Sequence, residues 1–190
     1  EFTKLLSLTK IPVVSSWNAS DIISTNNKLY IGRPGIFGER AANLAIEHSD
    51  LLIIFGSRMS IPQTGYNKKM FSIKSKKIFV DIDLNEINAK QFKNIIYKLN
   101  IDLKKFFQPA IKYFRKNKVN NFNSWNNLLL DWKKKYPVVN NNYKEKTKFL
   151  NSFDFINQLS LNLKGNETIV TDMGTSFTCT MQTFKIINPN

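Results

Sequence analysis

Three short apolar runs constrain this chain more than anything else in it. Ile11–Val14, Leu51–Phe55 and Ile78–Ile82 are continuous rather than alternating, the pattern of parallel strands covered on both faces. Helical spacings fall between them. Ala41, Ala42, Ala45 and Ile46 share one face of a helix over Glu39–His48, and Asp83 stands three residues before Glu86 in a capping-box arrangement. Strand and helix alternate, so the spacing predicts a doubly wound α/β layer.

Beyond Asn100 the character changes. Leu103, Phe106, Phe107, Ile111 and Phe114 form one helical stripe, interrupted by Pro109, and Phe122, Trp125, Leu129 and Trp132 form a second. Aromatic residues at this spacing are core or packing surface before they are a ligand site. Pro137–Lys148, rich in Asn, Lys and Tyr, is expected to run over the surface as a connector. After it, Phe153, Ile156, Leu159 and Leu163 predict a helix ended by Gly165, and Thr168–Thr171 a short strand. The expected organisation is a Rossmann-like central domain at 1–107, a helical linker and connector at 108–150, and the first βα unit of a second α/β domain at 151–190.

Several function classes are excluded. No run of about 18 apolar residues exists, so no transmembrane helix is expected. The single histidine, His48, excludes a His-rich zinc site. The single cysteine, Cys179, cannot form an internal disulfide; it fits a reducing, cytoplasmic setting and is expected to be a packed thiol. A formal charge of +14 would ordinarily point to nucleic acid. Here the lysines are spread along the chain beside abundant Asn and Ile, resembling the coding bias of an AT-rich genome, and are not gathered around aromatic stacking residues. That distribution argues against a nucleic-acid partner.

Four loops could carry chemistry. Gly32-Arg33-Pro34-Gly35-Ile36-Phe37-Gly38 leads into a helix whose N–H groups could receive an anion, although a plain turn with Gly35 and Gly38 at positive φ is the favoured reading. Gly56-Ser57-Arg58 follows the second strand, at the end of a parallel sheet where ligands bind, and Arg58 offers a fork to phosphate or a surface pair to a carboxylate. Asp81-Ile82-Asp83 closes the third strand. Asp81 suits a ribose hydroxyl, and Asp83 suits the N-cap of the next helix. Gly174-Thr175-Ser176 sets a glycine and two hydroxyls at a strand-to-helix turn, where they could wrap a diphosphate or simply cap the helix.

Taken in order, Pro12-Val13-Val14-Ser15-Ser16-Trp17, Ile31-Gly32-Arg33-Pro34-Gly35, Gly38-Glu39-Arg40-Ala41-Ala42-Asn43, Ser49-Asp50-Leu51-Leu52, Gly56-Ser57-Arg58, Thr64-Gly65-Tyr66 and Val80-Asp81-Ile82-Asp83 resemble the central domain of thiamine-diphosphate-dependent enzymes of the acetolactate synthase type. Asp172-Met173-Gly174-Thr175-Ser176 resembles the opening of that family's diphosphate-binding domain. The resemblance implies a central domain built on a six-stranded parallel sheet. It also implies thiamine diphosphate and Mg2+ held between two further domains, a 2-keto acid substrate, and a homodimer or homotetramer. The cofactor's ylid would be the nucleophile, in a carboligation or a decarboxylation. By position, Gly35, Gly38, Gly56, Arg58, Asp81 and Ile82 match nucleotide contacts of FAD-binding members, other members taking ADP or nothing. Gly174, Thr175 and Ser176 match the first diphosphate loop.

The chain departs from acetolactate synthases at Met59-Ser60-Ile61-Pro62-Gln63, where they carry an acidic and basic pair, and at Thr175-Ser176, where they show Gln and His. A sister decarboxylase or carboligase therefore stands beside acetolactate synthesis. Glu1 is not an initiator Met, and the chain is expected to be a fragment lacking the first strand of its central domain. The family's catalytic glutamate is expected before Glu1 and its magnesium motif after Asn190, so no residue here is expected to be catalytic or a metal ligand. The rival reading is a non-catalytic module that binds ADP or FAD on the same loops.

Overall fold

The computed structural model describes residues 1–89, 91–119, 121–144 and 148–189. Among these residues, five parallel strands form two sheets: β1 (Val13–Val14) pairs with β2 (Tyr30–Gly32), and β3 (Leu51–Phe55), β4 (Lys76–Asp81) and β5 (Ile95–Asn100) follow in that order. Helix α1 (Phe2–Thr9) precedes β1, α2 (Arg40–Glu47) joins β2 to β3, and the short α3 (Ile61–Thr64) follows β3. Helix α4 (Leu84–Asn88) joins β4 to β5, and α5 (Leu103–Lys116) and α6 (Asn123–Lys135) complete the helical cover. Two further helices, α7 (Ser152–Asn162) and α8 (Thr175–Thr183), lie C-terminal to the connector, whose residues 145–147 are outside the described set.

The α/β class holds, while several local expectations are corrected. The first run pairs only at Val13 and Val14, because Pro12 has no N–H to give a ladder and Lys10, at φ 56°, is still closing α1. The third begins two residues early, since Lys77 extends the ladder with its side chain fully buried, and Ile82 lies outside it. Strands β2 and β5 were not legible as apolar runs. Pro109 does not interrupt α5: it sits on the exposed face, where water can satisfy the carbonyl that its missing N–H leaves open. Residues 168–171 form no strand. An isolated strand has no ladder partner to satisfy its backbone, and Val170 stands 91% exposed.

Both aromatic stripes are core. Leu129, with Trp125 and Trp132 packed beside it, closes over Ile31, Ala41 and Ala45, so α6 covers β2 and α2. Phe107 and Ile111 of α5 meet Leu5 of α1, where Phe2 meets Phe55 edge-on and Phe106 meets Phe55 at a tilt. The six-stranded sheet implied by resemblance is divided. Strands β1 and β3 each have a partner on one side only, and a cavity of about 640 Å³ is lined by both, Val13, Val14, Ile53 and Phe55 included, with Phe107 and Leu129 closing it.

Candidate cofactor site

The loop after β2 is consumed by its own backbone. Gly35 donates its N–H to Asn43 Oδ1 at 2.8 Å and accepts from Asn43 Nδ2 at 2.9 Å. Gly38 donates to the Gly35 carbonyl and Glu39 to the Arg33 carbonyl. A side chain at Gly38 would strike the backbone of Arg33, Pro34 and Gly35, so its glycine is required by close approach; Gly32, at φ 147°, and Gly35, at φ 141°, need glycine for their torsions, and Gly38 does not. The expectation of positive φ at Gly38 is corrected accordingly. The N–H groups within this loop are used in a tight turn, while the first N–H groups of α2 have no side-chain cap.

Gly56, Arg58, Asp81 and Ile82 do converge, at the C-terminal ends of β3 and β4. Gly56 donates to the Val80 carbonyl at 2.9 Å, and a side chain there would press on Leu103 Cδ1 at 3.3 Å. Arg58 Nε lies 3.8 Å from Glu86 on α4, with the guanidinium largely in water. Asp81 is buried and its Oδ1 accepts the Asp83 N–H at 3.0 Å, while the exposed Ile82 gives its carbonyl to Asn100 Nδ2 at 2.8 Å. Asp83 caps α4 as expected, accepting from Asn85 at 2.9 Å and Glu86 at 3.4 Å. The departure at Met59–Gln63 has a structural form: Ser60 and Gln63 make a capping box that starts α3, with Pro62 in its first turn.

Gly174, Thr175 and Ser176 sit apart from that group, at the start of α8. Gly174 is the N-cap at φ 90°, no side chain caps the helix, and nothing lies within 4 Å of where a Gly174 side chain would point. The first N–H groups of a helix have no partner within it, so this end presents open donors and a positive dipole end. Ser176 Oγ donates to the Asp172 carbonyl at 3.1 Å and holds the turn. An anionic diphosphate fits that arrangement.

The residues missed in the sequence are the buried charges between the two loops. Arg33 is 2% exposed, and its N–H donates to Glu39 Oε1 at 3.0 Å. Burial pushes the Glu39 carboxyl above its ordinary value, against the opposing pull of Arg33 and Lys133. Burial also lowers the Lys133 ammonium, which donates to the Tyr30 carbonyl at 2.8 Å, and raises the Tyr30 phenol, whose hydroxyl lies 2.9 Å from Ser15 Oγ. The signal available was an Arg and a Glu six apart across a glycine turn at a strand end. Cys179 is buried and its thiol is raised by that burial, as a packed thiol should be.

The sequence model of a family described as the central domain of thiamine pyrophosphate enzymes matches residues 1–108. The chain belongs to the thiamine pyrophosphate enzyme family. It is 30% identical over 162 residues to the acetolactate synthase large subunit of Cyanidium caldarium, covering 84% of this chain and 27% of that protein. Against a probable acetolactate synthase large subunit of Methanococcus aeolicus it is 35% identical over 112 residues, 59% of this chain and 18% of that one. Against the chloroplastic acetolactate synthase 2 of Nicotiana tabacum it is 30% identical over 139 residues, 73% and 21%. The chain thus spans 18% to 27% of the length of these relatives. Among the described residues no helix is long and apolar enough to cross a membrane, and no group of three or more His, Cys, Asp or Glu could hold a metal ion.

Proposed function

We propose that the protein containing these residues is a thiamine-diphosphate-dependent, acetolactate synthase-like enzyme that joins or decarboxylates 2-keto acids, with this chain supplying its central domain and first diphosphate contact. The observation that carries the reading is the open N-terminus of α8, set by Gly174 in the loop Asp172–Ser176 and attached to a central domain of this family. Gly174 leaves room for the diphosphate, and Thr175 and Ser176 would donate N–H and O–H groups to it. When bound, thiamine diphosphate supplies a carbon nucleophile toward the keto carbon. Mg2+ would take its oxygen ligands from residues other than the described ones and would offset the charge of the diphosphate.

Acetolactate synthesis is one member of the proposed reaction class, and a related decarboxylase or carboligase is the other. Gly56, Arg58, Asp81 and Ile82 would hold a nucleotide, FAD or ADP, with Arg58 supplying charge for its phosphates and Asp81 an acceptor for its ribose; Gly35 and Gly38 would shape that site without donating to it. A homodimer or homotetramer in the cytoplasm completes the proposal. The full-length chain, supplied with thiamine diphosphate and Mg2+, is expected to consume at least one member of a panel of 2-keto acids. Inactivity across the panel would overturn the reading.

A further inference from the structure

Arg33 leaves the end of β2 and carries its guanidinium to the C-terminal end of α8. Nη1 donates to the Met181 carbonyl at 2.9 Å and Nη2 to the Phe184 carbonyl at 2.8 Å. These are carbonyls of the last turn and C-cap of a nine-residue helix, which have no partner within it. They also lie at the partial negative end of the helix dipole, where a cation is stabilising. The charge is held almost wholly out of water, and its backbone is fixed from behind by Glu39, which accepts the Arg33 N–H, with Lys133 nearby on the Tyr30 carbonyl. A planar fork on two carbonyls fixes direction as well as distance.

The same C-terminal segment is tied a second time without charge. Thr25 donates its N–H to the Ile186 carbonyl at 2.8 Å and its Oγ1 to the same oxygen at 2.9 Å, and accepts the Ile186 N–H at 2.6 Å. Near the other end of α8, Phe177 meets Trp17 edge-on at 5.4 Å. The helix is therefore held against the central domain near both ends, and among the described residues only Arg33 grips its terminal carbonyls with a buried charge.

We infer that Arg33 is a positioning residue for the diphosphate end of the cofactor: by capping α8 from the central domain it fixes the axis of that helix and offsets its negative end, holding the N–H groups of Thr175 and Ser176 where a diphosphate meets them. The inference rests on the proposed function. Arg33 touches no ligand. Nine residues of helix put its guanidinium about 13 Å from the donors it serves, so it acts through a rigid element and its field.

The test uses the full-length chain as wild type, R33Q, R33K and T25V. Each is titrated calorimetrically with inorganic pyrophosphate and with thiamine diphosphate plus Mg2+, with thermal unfolding measured alongside. R33Q is expected to weaken both probes by about fivefold to thirtyfold. R33K, which keeps the charge and loses the fork, is expected to weaken them by about threefold. T25V loosens the same segment without touching the helix end, and is expected to stay within about twofold of wild type while its unfolding temperature falls. Unchanged affinity in folded R33Q overturns the inference, as does weakening by T25V equal to that by R33Q. Should R33Q fail to fold, wild-type affinity in R33K overturns it. A wild type that binds neither probe overturns the proposed function and the inference with it, whereas binding by wild type with unaffected Arg33 variants overturns the inference alone.

Discussion

The loop that leads from β2 into α2 and the loop that leads into α8 both join glycine to a helix N-terminus, and they leave different room at that end. In the first, Gly35, Gly38 and Glu39 donate to Asn43, Gly35 and Arg33, and the Glu39 carboxylate turns back to accept from Arg33. In the second, nothing lies within 4 Å of where a Gly174 side chain would point, whereas at Gly38 that position meets the backbone of Arg33, Pro34 and Gly35; neither helix has a side-chain cap. Similar composition therefore yields a closed turn in one place and an open approach in the other. The difference lies in the residues that return to the loop: Asn43 on the first turn of α2, with Glu39 at its cap, has no counterpart on α8.

The comparison is broken most severely at Gly38. A methyl group there meets the backbone of three residues that cannot yield separately, so G38A is expected to destabilise the full-length chain by about 3 kcal/mol, read from denaturant unfolding. A loss under about 0.5 kcal/mol would mean the turn is looser than its hydrogen bonds imply.

The charge inside the first loop gives a smaller effect with a defined sign. Because the folded Glu39 carboxyl holds its proton more tightly than the unfolded one, its cost is absent below the ordinary value of 4.5 and grows as pH rises through the folded value. E39Q, which keeps the acceptor for the Arg33 N–H, is expected to gain stability relative to wild type between about pH 4 and about pH 8. Denaturation midpoints of the two proteins across that range check it, and a constant difference would count against the buried charge.

The smallest effect on stability belongs to the second loop. Ser176 is exposed and holds only its local turn, so S176A is expected to change unfolding by less than about 0.5 kcal/mol. Its affinity for thiamine diphosphate is nonetheless expected to fall, by roughly fivefold for a lost hydrogen bond. Unchanged affinity with unchanged stability would remove Ser176 from the site.

Much of the central domain was legible because local patterns there agree with tertiary need. Leu51–Phe55 is a strand along its whole length, Ala41, Ala42, Ala45 and Ile46 bury one face of α2, and Asp83 caps α4. Strand β2 was hidden in a stretch read for its glycines, and β5 in an alternation that includes Tyr97 and Lys98, because its outer side has no further strand. The Thr168–Thr171 expectation failed for the converse reason. Its residues have strand propensity and no strand to pair with, and propensity does not offset unpaired backbone.

The sequence by itself determined the α/β class, the helical faces, the family, and the loops at which a ligand would be sought, since each of these follows from residue type and spacing along a local stretch. The fold alone settled that the approach to α8 is open while that to α2 is closed by backbone, that Gly56, Arg58, Asp81 and Ile82 share one sheet end, and that Arg33 reaches carbonyls 148 and 151 residues away. Those outcomes depend on which distant groups claim a given N–H, carbonyl or charge once water is excluded, and spacing along the chain carries no record of that competition.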